Sequence, residues 1–184
     1  MEYIAVAMPS KQTLFIIVAS LSAVVRSLPS PSPDLGLKVI RQFEVDGGNF
    51  TLYGDKPLAR RDTTGKCGSR TDTVTCGKAH YGSYFMCSSL IYYLEFGLEH
   101  DNKLKGSPRS ACLHGDGQIS GMCCISWADS ITDAYIQDFE FSSRTVLDKC
   151  KDKSGEWVSG LIREASIGSS CTTVCISDRA GKCS

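Results

Sequence analysis

The chain has 184 residues, 20 of them basic and 20 acidic, and 42% of its residues are hydrophobic. This length predicts one ordinary domain with a single core. The balanced charge provides no extended positive field for a nucleic-acid backbone or an anionic membrane, so we expect neither as a partner.

The ten cysteines are confined to the later two-thirds of the chain. An even number of cysteines in a short segment predicts a disulfide framework, here of five bridges. A zinc site would need close cysteine pairs with histidines at matching spacing, whereas His80, His100 and His114 lie far from the nearest approach to such a pair, Cys171-x3-Cys175. We therefore expect no metal and no cofactor. The cysteines are Cys67, Cys76, Cys87, Cys112, Cys123, Cys124, Cys150, Cys171, Cys175 and Cys183.

Residues 1–27 have the pattern of a signal peptide. The apolar run from Leu14 to Val25 follows Lys11, and it is shorter than the roughly 20 residues that span a bilayer. The flanking small residues predict cleavage after Ser27, with cleavage after Ala23 as the alternative. Met8 begins a more compact leader and is a second candidate for the start. The mature protein is thus predicted to be secreted and extracellular, without a membrane span.

Residues 28–61 are predicted to be a pro-segment that ends in the dibasic pair Arg60-Arg61. Proteases with an acidic pocket recognise paired cations, so a cut after Arg61 would release a cysteine-rich domain of residues 62–184; the alternative is a solvated charge pair. Two β-like runs around Asp-Gly-Gly-Asn predict a hairpin within residues 39–53, which would allow the pro-segment to pair with the domain. Asn49, in Asn-Phe-Thr, is the glycosylation sequon and would leave with the pro-segment.

The first helix of the domain is predicted over residues 79–100, where apolar side chains recur every three or four positions. Cys87 lies on this apolar stripe, which predicts a bridge from the helix to the core. The polar run of residues 101–109 ends the helix.

A strand, a tight turn and a second strand are predicted between Cys112 and Trp127, with the turn near Asp116-Gly117. Cys123 and Cys124 are adjacent, so on a strand their side chains point to opposite faces. We expect them to bridge to different elements, one into the core and one toward an edge of the sheet.

A second, shorter helix is predicted over residues 138–151, and two further strands over residues 156–165 and 170–177. The sum is a small disulfide-rich α+β domain with two helices packed on a mostly antiparallel sheet. Ten cysteines allow hundreds of pairings, and the spacing alone does not select one.

Several short motifs of the domain occur with the sequence and cysteine spacing of a known family. They are Ser107-Pro-Arg-Ser-Ala-Cys112, Cys123-Cys-Ile-Ser-Trp127, Cys150, Val158-Ser-Gly160 and Cys171-Thr-Thr-Val-Cys175-Ile-Ser-Asp-Arg-Ala-Gly-Lys-Cys183. Through them, residues 64–184 resemble the fungal WD-like domain family, secreted proteins that are not WD-repeat propellers. Ile176-Ser-Asp-Arg179 departs from the Leu-Ser-Asn-Arg expected there. The family has no assigned chemistry, so the resemblance implies a secreted fungal protein and no catalytic residues.

An enzymatic function is less favoured than binding. The chain has no Gly-x-Ser-x-Gly elbow, no His-Glu-x-x-His motif and no phosphate-binding glycine loop. The sharpest alternative is a small secreted hydrolase such as a ribonuclease-like toxin, in which His80, Glu99 and His114 would exchange a proton at a phosphodiester. The favoured prediction is a monomeric effector or killer-type toxin that binds an extracellular or host protein or a cell-surface component, with contacts in loop 101–109 and turn 114–118.

Overall fold

Two helices pack on one face of a seven-stranded sheet. The elements are β1 (Lys38–Val45), β2 (Gly48–Gly54), β3 (Val74–Cys76), β4 (Gly82–Ser83), α1 (Tyr84–Tyr92) with a π-helical extension (Tyr93–Gly97), β5 (Pro108–Gly115), β6 (Met122–Trp127), a 3-10 turn (Ile136–Phe139), α2 (Glu140–Lys149), β7 (Trp157–Val158), β8 (Gly160–Ile167) and β9 (Ser170–Ser177). The computed structural model describes residues 37–54, 67, 73–97, 104, 108–116, 119–129, 131 and 134–181.

The sheet has the order β1-β2-β5-β6-β9-β8-β3, and its described strand pairs are all antiparallel. β4 and β7 form a separate two-stranded ribbon. The predicted α+β architecture is therefore confirmed. The predicted strand-turn-strand unit is present as β5–β6. The two further predicted strands are present as β8 and β9, which pair with each other and turn at Gly168, where a φ of 56° favours glycine.

The N-terminal strands form the hairpin that the sequence predicts. β1 and β2 turn at Asp46-Gly47, where Gly47 has a φ of 81°. β2 then pairs with β5 from Gly48 opposite Gly115 to Gly54 opposite Pro108. The segment predicted as a pro-segment thus contributes two strands to the sheet, while the predicted cuts after Ser27 and Arg61 fall outside the described residues and stay predictions.

The first helix begins later than its apolar pattern indicates. Gly82 and Ser83 pair with Val158 and Trp157, so the chain is extended up to Tyr84, where α1 starts. The buried face carries the predicted stripe, with Cys87 fully buried. The second helix is confirmed as α2. It is preceded by the 3-10 turn, whose Phe139 ring packs against Trp127 with ring centroids 4.3 Å apart.

Four disulfides join described cysteines. The pairs are Cys67–Cys171, Cys76–Cys150, Cys87–Cys123 and Cys112–Cys124. Cys175 is also disulfide-bonded, and Cys183 lies outside the described residues.

The two adjacent cysteines bridge to different elements, as the alternation of a strand predicts. Cys123 faces the helices and bonds Cys87 of α1. Cys124 faces the other side and bonds Cys112 of β5, in a small cluster that includes Tyr53 and Ala180. The expectation that one of them points toward an edge is wrong, because β6 is the central strand and both side chains are fully buried.

None of the helices in the described ranges is both long and apolar enough to cross a membrane. Some aromatic side chains of the helix layer are exposed to solvent. Phe85, Tyr92 and Phe96 are more than half exposed, and the rings of Tyr92 and Phe96 lie 5.2 Å apart.

Candidate functional site: a cationic cavity beside β3

A cavity of about 410 Å³ lies at the end of the sheet where β3, β8 and β9 run side by side. This volume falls within the usual range of small-ligand sites. Its floor comes from residues that face one another directly across the three strands, Thr75 opposite Leu161 and Leu161 opposite Cys175. The register of the three strands therefore determines which residues form the floor of the cavity.

One wall of the cavity is the loop of residues 77–80 that follows β3. The Gly77 amide donates to the Ser159 carbonyl at 2.7 Å, and the Ser159 hydroxyl donates to the Ala79 carbonyl, also at 2.7 Å. A Cβ on residue 77 would lie 2.3 Å from the Ser159 oxygen, so this close approach requires glycine. The loop is held tightly against β8 before any ligand arrives.

Disulfides fix the elements around this wall. Cys76, at the end of β3, is bonded to Cys150 at the end of α2. A Cβ on Gly160 would lie 2.6 Å from the Cys150 sulfur, so the bridge packs directly on the first residue of β8. β3 is only three residues long, and the covalent bond compensates for its few ladder hydrogen bonds.

Three basic side chains line the cavity: Lys78, Arg163 and Arg179. They come from the loop after β3, from β8 and from the segment after β9. Across the described ranges, none of the three has an ion-pair partner. Converging guanidinium and ammonium groups without counter-ions suit an oxyanion, since guanidinium donates in pairs to phosphate, sulfate or carboxylate oxygens.

His80 also lines the cavity, in an unusual backbone conformation. Its φ is 57°, in the left-handed region that is uncommon for residues other than glycine. The Asp178 amide donates to the His80 carbonyl at 3.1 Å, and the His80 Nδ1 atom lies 3.5 Å from the Asp178 Oδ1 atom. The first contact holds the His80 backbone. The second is an ion-pair distance and not a hydrogen bond, because the Asp178 Oδ1 atom has no hydrogen-bond partner among the described residues. The Nε2 atom of His80 also has no hydrogen-bond partner in the described part of the chain.

Ser159 is close to His80 in the chain's fold but is not arranged as a serine nucleophile. Such a nucleophile shares its hydroxyl proton with the histidine base. Here the Ser159 hydroxyl donates to the Ala79 carbonyl, which occupies its proton elsewhere. The cavity as built is better suited to binding than to acyl transfer.

The histidines considered for a ribonuclease-like site are not both in the cavity. His114 lies on β5, where its Nε2 atom is 3.3 Å from the Tyr53 hydroxyl oxygen. Burial lowers the pKa of His114 and raises that of Tyr53. His114 does not line the cavity, and Glu99 lies outside the described residues. The predicted trio is therefore not assembled there.

The surfaces predicted for partner contacts are described only in part. Of loop 101–109, the described residues are 104, 108 and 109, and turn 114–118 is described as far as Asp116. The Asp116 carboxylate accepts a hydrogen bond from the Ile119 amide at 3.2 Å and so supports the turn. None of the described residues of the two segments lines the cavity. The sequon residue Asn49 is half-buried on β2, opposite Glu44 and His114.

Sequence reasoning nominated His80 and missed the three cations. Lys78 precedes Arg163 by about 85 residues and Arg179 by about 100 residues, so no local sequence pattern connects them. One signal was present: Arg179 follows Cys175 within the motif that carries the family resemblance. Within the described residues there is no group of three or more histidine, cysteine, aspartate or glutamate side chains that could hold a metal.

Comparison with known proteins gives one match. The model of a family described as fungal WD-like matches residues 55–183. No curated protein and no solved structure matches the chain. The match begins immediately after β2, so the N-terminal hairpin lies outside it.

Proposed function

The chain belongs to the fungal WD-like family, and we propose that it is a secreted monomer that acts by binding, as an effector on a host or as a killer-type toxin on a competitor. The cationic cavity carries this proposal, because Lys78, Arg163 and Arg179 converge there without counter-ions among the described residues. The partner is an extracellular or host protein, or a cell-surface component, that presents a phosphate, sulfate or carboxylate group.

Secretion is supported by the bridges and by the leader. Structural disulfides persist in oxidising compartments and are rare in the cytosol, where thiols are kept reduced. Nine described cysteines are disulfide-bonded. The apolar run before residue 27 supplies the export signal that such a protein needs.

Expression of the full chain in a fungal secretory host tests the compartment. We expect the product in the medium, with a mass that lacks the hydrogens of all ten cysteine thiols. The same spectrum gives the N-terminus, which is predicted at residue 28 or residue 62. A product that stays in the cytosol, or that reacts with an alkylating reagent without prior reduction, would contradict secretion as a disulfide-bonded protein.

The site is preorganised for an anion rather than dependent on a general positive charge. The whole chain carries equal numbers of basic and acidic residues, so long-range attraction is weak. The wall around Gly77 and the bridge Cys76–Cys150 hold the cavity before binding, which lowers the cost of ordering on association. Affinity is therefore expected to come from the three side chains themselves.

Calorimetric titration with defined anions tests the cavity. The probes are an oligogalacturonate, a heparin-derived oligosaccharide and inositol hexaphosphate, which present carboxylate, sulfate and phosphate groups; a neutral β-glucan oligomer is the negative control. The triple variant Lys78→Gln, Arg163→Gln, Arg179→Gln removes the cavity cations. Each lost charge-assisted hydrogen bond costs about 1.5 to 3 kcal/mol, so we expect binding to fall at least tenfold per residue.

A second triple variant provides the matched control. Lys38→Gln, Lys149→Gln and Lys153→Gln remove the same net charge from exposed positions that do not line the cavity. Binding by this variant should equal that of the natural chain. Equal losses in both triples would mean non-specific charge attraction and would overturn the site. Binding that survives the cavity triple but is lost in Tyr92→Ser, Phe96→Ser would move the site to the exposed aromatic surface of the helix layer.

The biological role is tested with the same proteins. Infiltration into plant tissue measures effector activity, and application to lawns of competing fungi measures killing. The natural chain and the control triple are expected to act alike, and the cavity triple is expected to be inactive. Full activity of the cavity triple in either assay would contradict the proposal that binding at the cavity produces the effect.

A second candidate function is phosphodiester hydrolysis, favoured by one observation. His80 lines the cavity beside the cations, 3.5 Å from Asp178, an arrangement that would attract a phosphodiester and offer a base. It ranks second because cleavage also needs an acid for the leaving oxygen, and the described lining contains one histidine. Incubation with RNA decides between the two: turnover that is lost in His80→Ala would favour the hydrolase, and no turnover would leave binding as the function.

A further inference from the structure

The only covalent link between the N-terminal hairpin and the rest of the protein is the main chain, because the hairpin contains no cysteine. The chain has no cysteine before Cys67, and the described disulfides all connect residues from Cys67 onward. The family match also begins after the hairpin, at residue 55. What holds β1 and β2 in place is therefore packing and hydrogen bonding.

The backbone contact between the hairpin and the body is extensive. β2 pairs with β5 along its whole length, from Gly48 to Gly54. A Cβ on Gly48 would lie 2.0 Å from the His114 carbonyl oxygen, so the two strands approach as closely as glycine permits. An antiparallel ladder of this length is the means by which proteins bind an added strand at a sheet edge.

Side chains of the hairpin enter the body on both faces of the sheet. Phe50 is fully buried in the main core, where its ring stacks on Phe43 at 4.9 Å. Tyr53 is 3% exposed and packs on the other face with Cys112 and Cys124. The hairpin thus fills space that the body does not fill by itself.

The turn of the hairpin also contacts the body. The Tyr93 hydroxyl donates to the Asp46 carbonyl at 2.7 Å, which links the turn to the end of α1. A Cβ on Gly47 would lie 3.2 Å from Ile119, which precedes β6. These contacts fix the register of the hairpin as well as its position.

We propose that β5 is a strand-binding site whose occupant is the β1–β2 hairpin, and that this hairpin stays bound as a separate chain after the polypeptide is cut at Arg60-Arg61. The mature protein is then a two-chain complex held without a covalent link between its chains. The cut hydrolyses one peptide bond and removes no contact described above; it only converts an intramolecular contact into an intermolecular one.

The experiment starts from the intact secreted chain, made in a host that lacks dibasic-cleaving proteases. The purified protein is cut with a kexin-type protease and examined at neutral pH by size-exclusion chromatography and native mass spectrometry. We expect one complex that contains both pieces, and two separate pieces on a denaturing gel without reductant. An N-terminal piece that elutes alone would overturn the proposal, and so would failure of the protease to cut the folded chain.

Two hairpin variants separate specific docking from simple adhesion. Phe50→Ala removes the side chain in the main core, and Ile40→Ala truncates a side chain of the same hairpin that is 51% exposed. After cutting, we expect the Phe50→Ala piece to dissociate at least tenfold faster and the Ile40→Ala piece to behave as the natural one. Equal dissociation rates would overturn the assigned site.

Strand exchange tests β5 directly. A fluorescent synthetic peptide of residues 37–54 is mixed in excess with the cut protein and with the uncut protein. Incorporation into the cut protein alone is expected, because the tethered hairpin of the uncut protein competes at a high effective concentration. No incorporation into the cut protein over several dissociation half-times would contradict an exchangeable strand-binding site.

Discussion

The disulfide-bridged body, from Cys67 to Gly181, and the N-terminal hairpin, from Lys38 to Gly54, share one sheet but are stabilised by different means. In the body, described bridges link β3 to the end of α2, link both α1 and β5 to β6, and attach Cys67 to β9. Hydrogen bonds and two buried aromatic side chains retain the hairpin. A covalent bridge acts under all non-reducing conditions. Packing contacts are reversible. The hairpin is therefore the part of the sheet that a change of solvent conditions or a substitution can detach.

The largest effect is expected from disulfide loss, and of the two bridges of β6 it is larger for the bridge between α1 and β6. Its cysteines are 36 residues apart, and loop-closure entropy gives a loss of about 4 kcal/mol in the free energy of unfolding for Cys87→Ala, Cys123→Ala. Cys112→Ala, Cys124→Ala opens a loop of 12 residues and should cost about 3 kcal/mol. Denaturation with guanidinium chloride measures both, and a greater loss for the shorter loop would contradict the entropic account.

The next largest effect is expected from a substitution in the hairpin, and it distinguishes the stability of the hairpin from that of the body. In the uncut chain, Phe50→Ala should destabilise the docked hairpin by about 3 kcal/mol, because it empties a fully buried site. Ile40→Ala should change stability by no more than about 0.5 kcal/mol. Hydrogen exchange locates the loss: amides of β2 should exchange faster in Phe50→Ala while those of β8 and β9 stay protected. Uniform acceleration throughout the sheet would mean that the hairpin and the body open as one unit.

The smallest expected effect is a dependence of hairpin docking on pH. Burial holds the pKa of His114 below its ordinary value of 6.5, so the docked state binds a proton less readily than the released state does. The stabilisation is fully present above pH 6.5 and is lost as the pH falls toward the lowered pKa. Hydrogen exchange of β2 amides between pH 7 and pH 5 measures this.

Two histidine variants provide the control for the pH effect. His114→Gln keeps a polar group near the Tyr53 hydroxyl and should flatten the pH dependence. His80→Gln removes a histidine that contacts Asp178 instead of the hairpin, and it should leave the dependence unchanged. A pH dependence that disappears with His80→Gln would assign the effect to the wrong side of the molecule and refute this explanation.

Local chemistry predicted most of the elements. The Asp46-Gly47 turn, the alternating strands and the apolar stripe around Cys87 are structures that neighbouring residues determine, and these are present. The start of α1 was placed too early because Gly82 and Ser83 pair with β7, a strand some seventy residues later in the chain. A competing long-range pairing of this kind leaves no mark in a local window.

The pairing of the cysteines and the cavity depend on the tertiary fold. Alternation showed that Cys123 and Cys124 bridge in opposite directions, but it could not select Cys87 and Cys112 as their partners. The cavity could not be predicted from the sequence, because its cations come from three segments that only the strand order brings together. His80 was nominated for its residue type; its positive φ and its contact with Asp178 follow from the packing of the loop after β3.

The position of β2 beside β5 also sets an order of events during synthesis. β5 begins about 50 residues after β2 ends, which at roughly 5 to 20 residues per second corresponds to roughly 3 to 10 seconds of translation. Until β5 emerges, the hairpin is a solitary two-stranded ribbon, which is marginally stable in water. In that interval Asn49 and Thr51 are open to the glycosylation machinery, whereas in the finished sheet the Thr51 side chain is 1% exposed. Sugar addition at this sequon therefore has to precede the arrival of the neighbouring strand.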